Sequence, residues 1–360
     1  MNAATASITP GFILSGLIVG VVLGFILQRG QFCMNSAFRD TIFMKDFTML
    51  RAYLIAFVIM VIGANILEDM GTIILKRQTF YPLANIIGGY IFGLGMVLAE
   101  GCGSGIIYRT GEGLLSAWFA VFCFSVGIAA TTDGILNPLL MFLKNESLSL
   151  SLSGKPNAAL WELIGDGPAI KWAVTTVLSF MLSFFILRGK PFTVKKREGF
   201  SWPHTGVLVG VMGVVAFWAS EFWGGGFARG LSFTTPTGEL FFTVLTGNAQ
   251  SRFFPMFNLG PFQTTWAAFY IIGVPLGSYV SAKALKKFKW RVPSARQLVT
   301  IMAGGIMMGF GAVLAGGCNV GQALTGFATL SIGSIVATVA IIAGNWTMVY
   351  FKFIKPAKLM

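Results

Sequence analysis

The sequence predicts an all-α integral membrane protein of about nine transmembrane helices, and three observations carry that expectation. Mean hydropathy is +0.76 with only 11% charged residues across 360 positions, far too apolar for a water-soluble domain of this size. Mostly apolar runs of about 20 residues, enough to cross roughly 30 Å of hydrocarbon, recur along the chain. A glycine-rich pattern also returns in the second half, so the spans fall into two related sets.

In chain order the expected spans are 12–27, 50–67, 84–99, 114–130, 171–187, 206–220, 264–282, 298–315 and 330–351. The first has no basic segment before it and is followed by charge, which argues for a retained helix over a cleaved signal peptide. Lys and Arg outnumber Asp and Glu by 26 to 13. The excess sits between spans, not along a soluble face, which argues against a nucleic-acid partner and reads as a topology signal. Arg29, Arg39, Lys45 and Arg51 follow the first span; Lys190, Lys195, Lys196 and Arg197 the fifth; Lys283, Lys286, Lys287, Lys289, Arg291 and Arg296 the seventh. These clusters all follow odd-numbered spans and so share one side. The positive-inside rule makes that side cytoplasmic, with the N-terminus outside and the Lys352, Lys355, Lys358 tail inside.

The pattern G-G-Y-I-F-G-L-G-M-V-L-A-E-G-C-G-S-G at 88–105 returns as G-G-I-M-M-G-F-G-A-V-L-A-G-G-C-N-V-G at 304–321, pairing Cys102 with Cys318. A fainter match sets Gly16, Gly20, Phe32 and Arg39 against Gly206, Gly210, Phe222 and Arg229, and Cys33 against Trp223. One polytopic domain over 1–360 then divides into a first half at 10–145, a linking helix at 168–188 and a second half at 204–352. The single extra span between the halves reverses the second, which predicts an inverted-topology repeat. Many transporters share that plan, with the substrate path near the bilayer midplane. A duplicated membrane protein without transport is the alternative.

Segments too brief to cross follow the first, third, sixth and eighth spans, at 33–45, 102–113, 224–233 and 318–327. They read as re-entrant loops or half-helices, tolerated at membrane depth only inside protein or beside a cavity. Glycines at their starts, Gly101, Gly103 and Gly317 among them, let backbone N–H groups approach a ligand. A half-helix N-terminus adds unpaired donors with partial positive charge, an arrangement that suits an anion. Gly88, Gly89, Gly93 and Gly95 are expected to serve close helix packing instead.

Three of the four cysteines, Cys33, Cys102 and Cys318, open such segments; Cys123 lies within an apolar span and is expected to pack. No Cys-x-x-Cys pair occurs and the one histidine, His204, adjoins a loop on the cytoplasmic side, so the spacing supports neither a metal nor another cofactor. Cysteines on opposite sides of the midplane need not be within bridging distance. Asn35, Ser36, Ser104, Asn319 and Gln322 offer uncharged donors nearby, or cap the half-helix starts. Arg229 falls on the expected outer side, where with Arg252 it either focuses an anion toward the path or pairs with a headgroup or loop carboxylate. Glu100 is expected to pair with Arg109 or another cation, and the aromatics of 217–223 to form an interfacial belt.

Three segments, Q-R-G-Q-F-C-M-N-S-A-F-R-D at 28–40, E-G-C-G-S-G at 100–105 and G-G-C-N-V-G-Q at 316–322, make the chain resemble the YeeE/YedE membrane proteins of bacterial sulfur uptake. The resemblance runs through nearly the whole chain. It implies an hourglass-shaped protein of the bacterial cytoplasmic (inner) membrane that imports thiosulfate, with one functional cysteine in each motif: Cys33, Cys102 and Cys318. The family also includes members associated with selenium or with poorly defined sulfur compounds. It is linked to a small soluble TusA-like sulfur carrier, which is not fused here. Thiols buried in apolar surroundings stay protonated and donate weakly, so the expected mechanism passes the dianion stepwise from Cys318 to Cys102 to Cys33. Two rivals stand beside it. One is an enzyme whose cysteine cleaves an S–S bond and holds a persulfide, though no activating base adjoins the cysteines in sequence. The other is a membrane partner for a cytoplasmic sulfurtransferase docked on the basic loops. No obvious nucleotide-binding motif points to ATP as a direct driver.

Overall fold

The computed structural model describes residues 10–152, 154–165, 167–193, 198–251 and 254–356. In the first part of the chain these form α1 (Pro10–Gly30), α2 (Met34–Phe43), α3 (Thr48–Asp69), α4 (Pro82–Leu98), α5 (Gly103–Gly111), α6 (Leu115–Thr132) and α7 (Asn137–Leu143). The helix α8 (Pro168–Leu187) then leads to α9 (Trp202–Trp223), α10 (Thr234–Thr246), α11 (Trp266–Ala284), α12 (Ala295–Ala315), a π-helical turn at Val320–Gly326 and α13 (Ile332–Val349). A hairpin of β1 (Phe257–Leu259) and β2 (Phe262–Thr264) precedes α11. Proline in the first turn of α4, α8 and α9, where its missing N–H has no helical role, helps place those starts.

Eight helical stretches among the described residues are long and apolar enough to cross a membrane. In three of them a long helix continues into a short one: Pro10–Phe43, Pro82–Gly111 and Ala295–Gly326. α11, the counterpart of the expected 264–282 span, lies outside that set, being less apolar through Tyr270, Ser278, Tyr279, Ser281 and an internal Pro275. The expected half-helix at 224–233 is displaced. Gly224 ends α9, Gly225 and Gly226 take positive φ, and helix resumes only at Thr234. Phe233 therefore precedes α10 as Cys33 precedes α2, whereas Trp223, set against Cys33 in the sequence match, is the last residue of α9.

α1 runs along α11 and α9 along α3; α4 runs along α13 and α12 along α6; α4 and α12 pack on each other, as do α1 and α9. Glycine makes these contacts close. A Cβ on Gly95 would stand 2.9 Å from the carbonyl oxygen of Gly304, and one on Gly89 2.8 Å from that of Ala337, so Gly88, Gly89, Gly93 and Gly95 serve helix packing. Cys123 packs likewise, its Cβ 3.0 Å from where a Cβ on Gly305 would lie.

Charges gather at the two ends. At one, the Phe200 N–H donates to Arg29 O at 3.0 Å, Leu115 N–H to Arg291 O at 3.0 Å, and Lys287 stands 3.6 Å from Glu198, joining the segments after α1, α8 and α11. Lys195, Lys196, Arg197 and Lys358 lie outside the described residues. At the other end buried Lys171 ties α8 to α3 through Glu68 at 2.8 Å and Asp69 at 2.7 Å, and Arg77 meets Glu68 at 3.1 Å. Trp218 and Phe222 stack at 5.8 Å and stand exposed at the end of α9, while Phe217 turns inward.

Candidate functional site

Each of the three motifs breaks a long helix and starts a short one at a buried cysteine. α1 ends at Gly30, and Cys33 in extended backbone N-caps α2. α4 ends at Leu98, Glu100 takes a left-handed φ of 56°, and Cys102 N-caps α5. α12 ends on Gly316 with φ 82°, and Cys318 follows two residues later at the mouth of the π-helical turn. The Gly101 N–H closes back onto Met96 O at 3.1 Å and that of Gly317 onto Ala312 O at 2.8 Å. Both are thus spent on terminating the preceding helix, and neither donor is free for a ligand.

Two of the sulfurs meet, and the third lies across α5 from them. Cys33 Sγ is 3.6 Å from Cys102 Sγ, closer than their expected separation across the midplane, and both are free thiols. Cys102 Sγ accepts the Gly105 N–H at 3.3 Å and lies 3.3 Å from Ser104 Oγ; Cys318 Sγ accepts the Gly321 N–H at 3.4 Å. A Cβ on Gly103 would stand 3.6 Å from Cys318 Sγ, and one on Gly105 2.9 Å from Cys33 Sγ. The first turn of α5 therefore passes between Cys318 on one side and Cys33 on the other, with Cys102 at its head. Its glycines are small because the thiols occupy the space a side chain would take.

Around the thiols the neutral groups divide. Asn35 Oδ1 accepts from Asn345 Nδ2 at 2.7 Å, joining α2 to α13. Gln322 donates to Ala315 O at 2.5 Å and to Gln78 Oε1 at 3.1 Å while accepting from Ser334 at 2.6 Å, so it braces the π-helical turn. Asn319 differs: it is fully buried, and neither of its amide atoms has a partner among the described residues.

Arg229 is not an open attractor. Its guanidinium is buried in an ion pair with Glu239 at 2.8 Å and lies 3.8 Å over the Phe254 ring, and Glu239 also accepts from Ser251 and Thr265. Arg252 lies outside the described residues. Glu100 meets Lys352 at 3.8 Å and Gln297 at 3.0 Å, whereas Arg109 donates at 2.7 Å to the Glu100 carbonyl and not to its carboxylate. Among the described residues no group of three or more His, Cys, Asp or Glu comes together to hold a metal. His204 Nδ1 is paired with Ser201 Oγ at the start of α9.

Sequence reasoning passed over several residues of this region. Gln28 and Gln31 both donate to Glu112 at the end of α5, at 3.1 and 2.8 Å, closing the Cys33 side. Gly105 and Gly321 supply the N–H groups that meet the thiols. The spacing C-x-x-G, shared by Cys102 with Gly105 and Cys318 with Gly321, was the available signal. Tyr108 and Tyr270, both buried, carried none.

A family model described as sulphur transport matches residues 29–347. Two proteins named "Thiosulfate transporter TsuA" align along almost the whole chain. That of Spirochaeta thermophila is 33% identical over 349 residues, 94% of this chain and 98% of its own. That of Escherichia coli K12 is 32% identical over 360 residues, 96% of each. The "Probable transporter YedE" of Escherichia coli K12 matches at 36% identity over 104 residues, 29% of this chain and 25% of its own. These relatives are named as transporters, and the eight apolar helices make this chain a multi-pass membrane protein. Since the family match takes in all three cysteines and nearly all the spans, the chain belongs to the sulphur transport family.

Proposed function

We propose that this protein imports thiosulfate across the bacterial cytoplasmic membrane, passing it from Cys318 to Cys102 to Cys33. The observation that carries the reading is three buried free thiols at half-helix starts, Cys33 and Cys102 with sulfurs 3.6 Å apart and Cys318 across the first turn of α5 from them. The two full-length relatives named as thiosulfate transporters support the choice of anion. A dianion is costly to dehydrate, and carboxylates or thiolates in its way would repel it. Protonated thiols donate S–H weakly, and several weak stations allow release as well as capture. With no histidine beside the cysteines to activate them, passage without a covalent intermediate is the economical mechanism.

The helix contacts support an inverted-topology repeat of 10–145 and 204–352 with α8 between them. Each pairing of one half's helices, such as α1 with α11, has its counterpart, here α9 with α3. Gathering of the basic segments at one end supports a cytoplasmic assignment for that end, with the N-terminus outside. The same basic face suits docking of a small TusA-like sulfur carrier that takes up the delivered anion. The test is uptake of sulfur-labelled thiosulfate into vesicles bearing wild type or Cys33→Ala, Cys102→Ala or Cys318→Ala. Saturable wild-type uptake abolished by each change, in protein still inserted, is expected. A C318A protein with full uptake, or a wild type with none, refutes the reading.

A further inference from the structure

Tyr270 lies in α11, with only 2% of its surface exposed. Its ring is held on both sides, stacked on Trp266 with centroids 6.2 Å apart and tilted against Phe233 at 5.7 Å. Trp266 is itself fixed by donating Nε1–H to Ser15 Oγ at 3.0 Å. Phe233 carries the phenol to the thiols, because its Cβ lies 3.5 Å from the point where a Cβ on Gly103 would stand, and that point is 3.6 Å from Cys318 Sγ. Tyr270 also lies within electrostatic reach of Cys318 and Arg229. Yet its hydroxyl has no hydrogen-bond partner among the described residues. The contrast lies in Tyr53, an equally buried phenol whose O–H is spent on Ala323 O, and in Ser278 on α11 itself, which donates to Tyr108 O at 2.5 Å. Next to Cys318, the Asn319 amide is orphaned in the same way.

Leaving a buried hydroxyl unpaired is unfavourable, and phenylalanine would fill the same ring pocket without that cost. An O–H held rigid but unbonded, on a ring that only Phe233 separates from the Cys318 site, is placed for a partner that comes and goes. We infer that the Tyr270 hydroxyl, seconded by the Asn319 amide, recognises the oxygen end of the ligand while the Cys318 thiol meets its soft sulfur end. The inference rests on the thiosulfate reading above and adds to it a basis for selectivity. Thiosulfate has one polarisable terminal sulfur and three hard oxygens. Sulfate lacks the first and hydrosulfide the second, so a thiol and a phenol serving one site distinguish all three anions.

The test measures thiosulfate uptake, and its inhibition by hydrosulfide, in proteoliposomes of wild type, Tyr270→Phe and Tyr53→Phe. For Y270F the KM for thiosulfate is expected to rise about tenfold or more at unchanged maximal rate, since one hydrogen bond to a charged ligand is lost. Inhibition by hydrosulfide stays as in wild type, because that anion has no oxygen for the phenol. Y53F, which loses a structural bond, is expected to lower thermal stability while leaving the ratio of the two affinities alone. A Y270F protein with wild-type KM overturns the inference and means that a resident water satisfies the hydroxyl. Hydrosulfide that fails to inhibit wild type overturns the role given to Cys318. Should Y270F not reach the membrane, wild type alone decides: equal affinity for thiosulfate and hydrosulfide overturns the inference, a clear preference for thiosulfate upholds it. A wild type with no thiosulfate uptake removes the proposed function and this inference together, whereas normal uptake with an unaffected Y270F removes only the latter.

Discussion

Replacing Gly105 with alanine places one methyl group between two thiols. The new Cβ would stand 2.9 Å from Cys33 Sγ and 3.3 Å from Cys102 Sγ. Non-bonded heavy atoms settle at about 3.5–4.0 Å, so at least one sulfur must move by about half an ångström or more. Overpacking of this kind costs about 1–3 kcal/mol. Alanine in the first turn of α5 regains up to about 1 kcal/mol of helix propensity over glycine, so the protein should still fold and insert. The strain falls instead on the Cys33–Cys102 spacing of 3.6 Å that the anion must use. If even the middle of that range appears in the transport barrier, initial uptake falls about tenfold or more, each 1.36 kcal/mol being a factor of ten. The internal control is Gly103→Ala, whose Cβ would meet Cys318 Cβ at 3.4 Å and Phe233 Cβ at 3.5 Å, ordinary contact distances. The assay is initial labelled-thiosulfate uptake, normalised to inserted protein and accompanied by a melting curve in detergent. Wild-type rates in G105A, or a heavier loss in G103A than in G105A, would refute the reasoning.

Breaking the buried pair by Glu239→Gln leaves Arg229 uncompensated and should destabilise the fold by about 3–5 kcal/mol, visible as a lowered melting temperature. The double variant E239Q/R229M is expected to recover much of that loss, and a double variant no better than E239Q contradicts the assignment. A mild dithiol oxidant should join Cys33 to Cys102 reversibly and stop uptake; peptide mass analysis should find the bridge in wild type and C318A but not in C33A. Gly95→Leu must force α4 from α12, whose Gly304 oxygen would lie 2.9 Å from the new Cβ, and is expected to abolish accumulation of folded protein in the membrane.

The fold class was legible because hydropathy and span length answer to the bilayer alone, without knowledge of contacts. The placement of the three cysteines at helix breaks was legible for a related reason: each stands where a long apolar run ends and a short segment begins, which is a local pattern. Arg229 was not. Its lack of a topological role left an anion funnel and a carboxylate or headgroup pair equally open, and only the tertiary structure decides by bringing Glu239, Ser251 and Thr265 together at it. Gln322 and Asn35 could be free donors or caps in sequence, yet both are paired with α13, Gln322 with Ser334 12 residues on and Asn35 with Asn345 310 residues away. The half-helix expected at 224–233 slipped because three successive glycines were read as a helix start, when they serve as the stop of α9. Tyr270 was hidden altogether, since an aromatic in an apolar span looks the same whether or not its hydroxyl is paired.

Neutralisation of Arg229 follows from what a path must do. Two opposite unit charges 4 Å apart at an effective dielectric of 20 attract by about 4 kcal/mol, and a dianion would feel about twice that. By the same factor of ten per 1.36 kcal/mol, release from such a site would slow by about a millionfold, which makes it a trap. Hydrogen bonds from neutral donors to a charged partner contribute about 1.5–3 kcal/mol each, enough to replace part of a hydration shell while still letting go. Glu239 beside Arg229 therefore does for the Cys318 side what sorting does elsewhere in the fold, where Lys171 and Arg77 are matched to Glu68 and Asp69 at one end and Lys352 to Glu100 at the other. On this argument E239Q should fail in two separable ways. Its melting temperature falls, and in whatever fraction folds, thiosulfate should bind more tightly than in wild type while turning over more slowly. A folded E239Q fraction with weakened thiosulfate binding would show that the ion pair serves structure alone and that the Cys318 side of the path does not depend on neutralising Arg229.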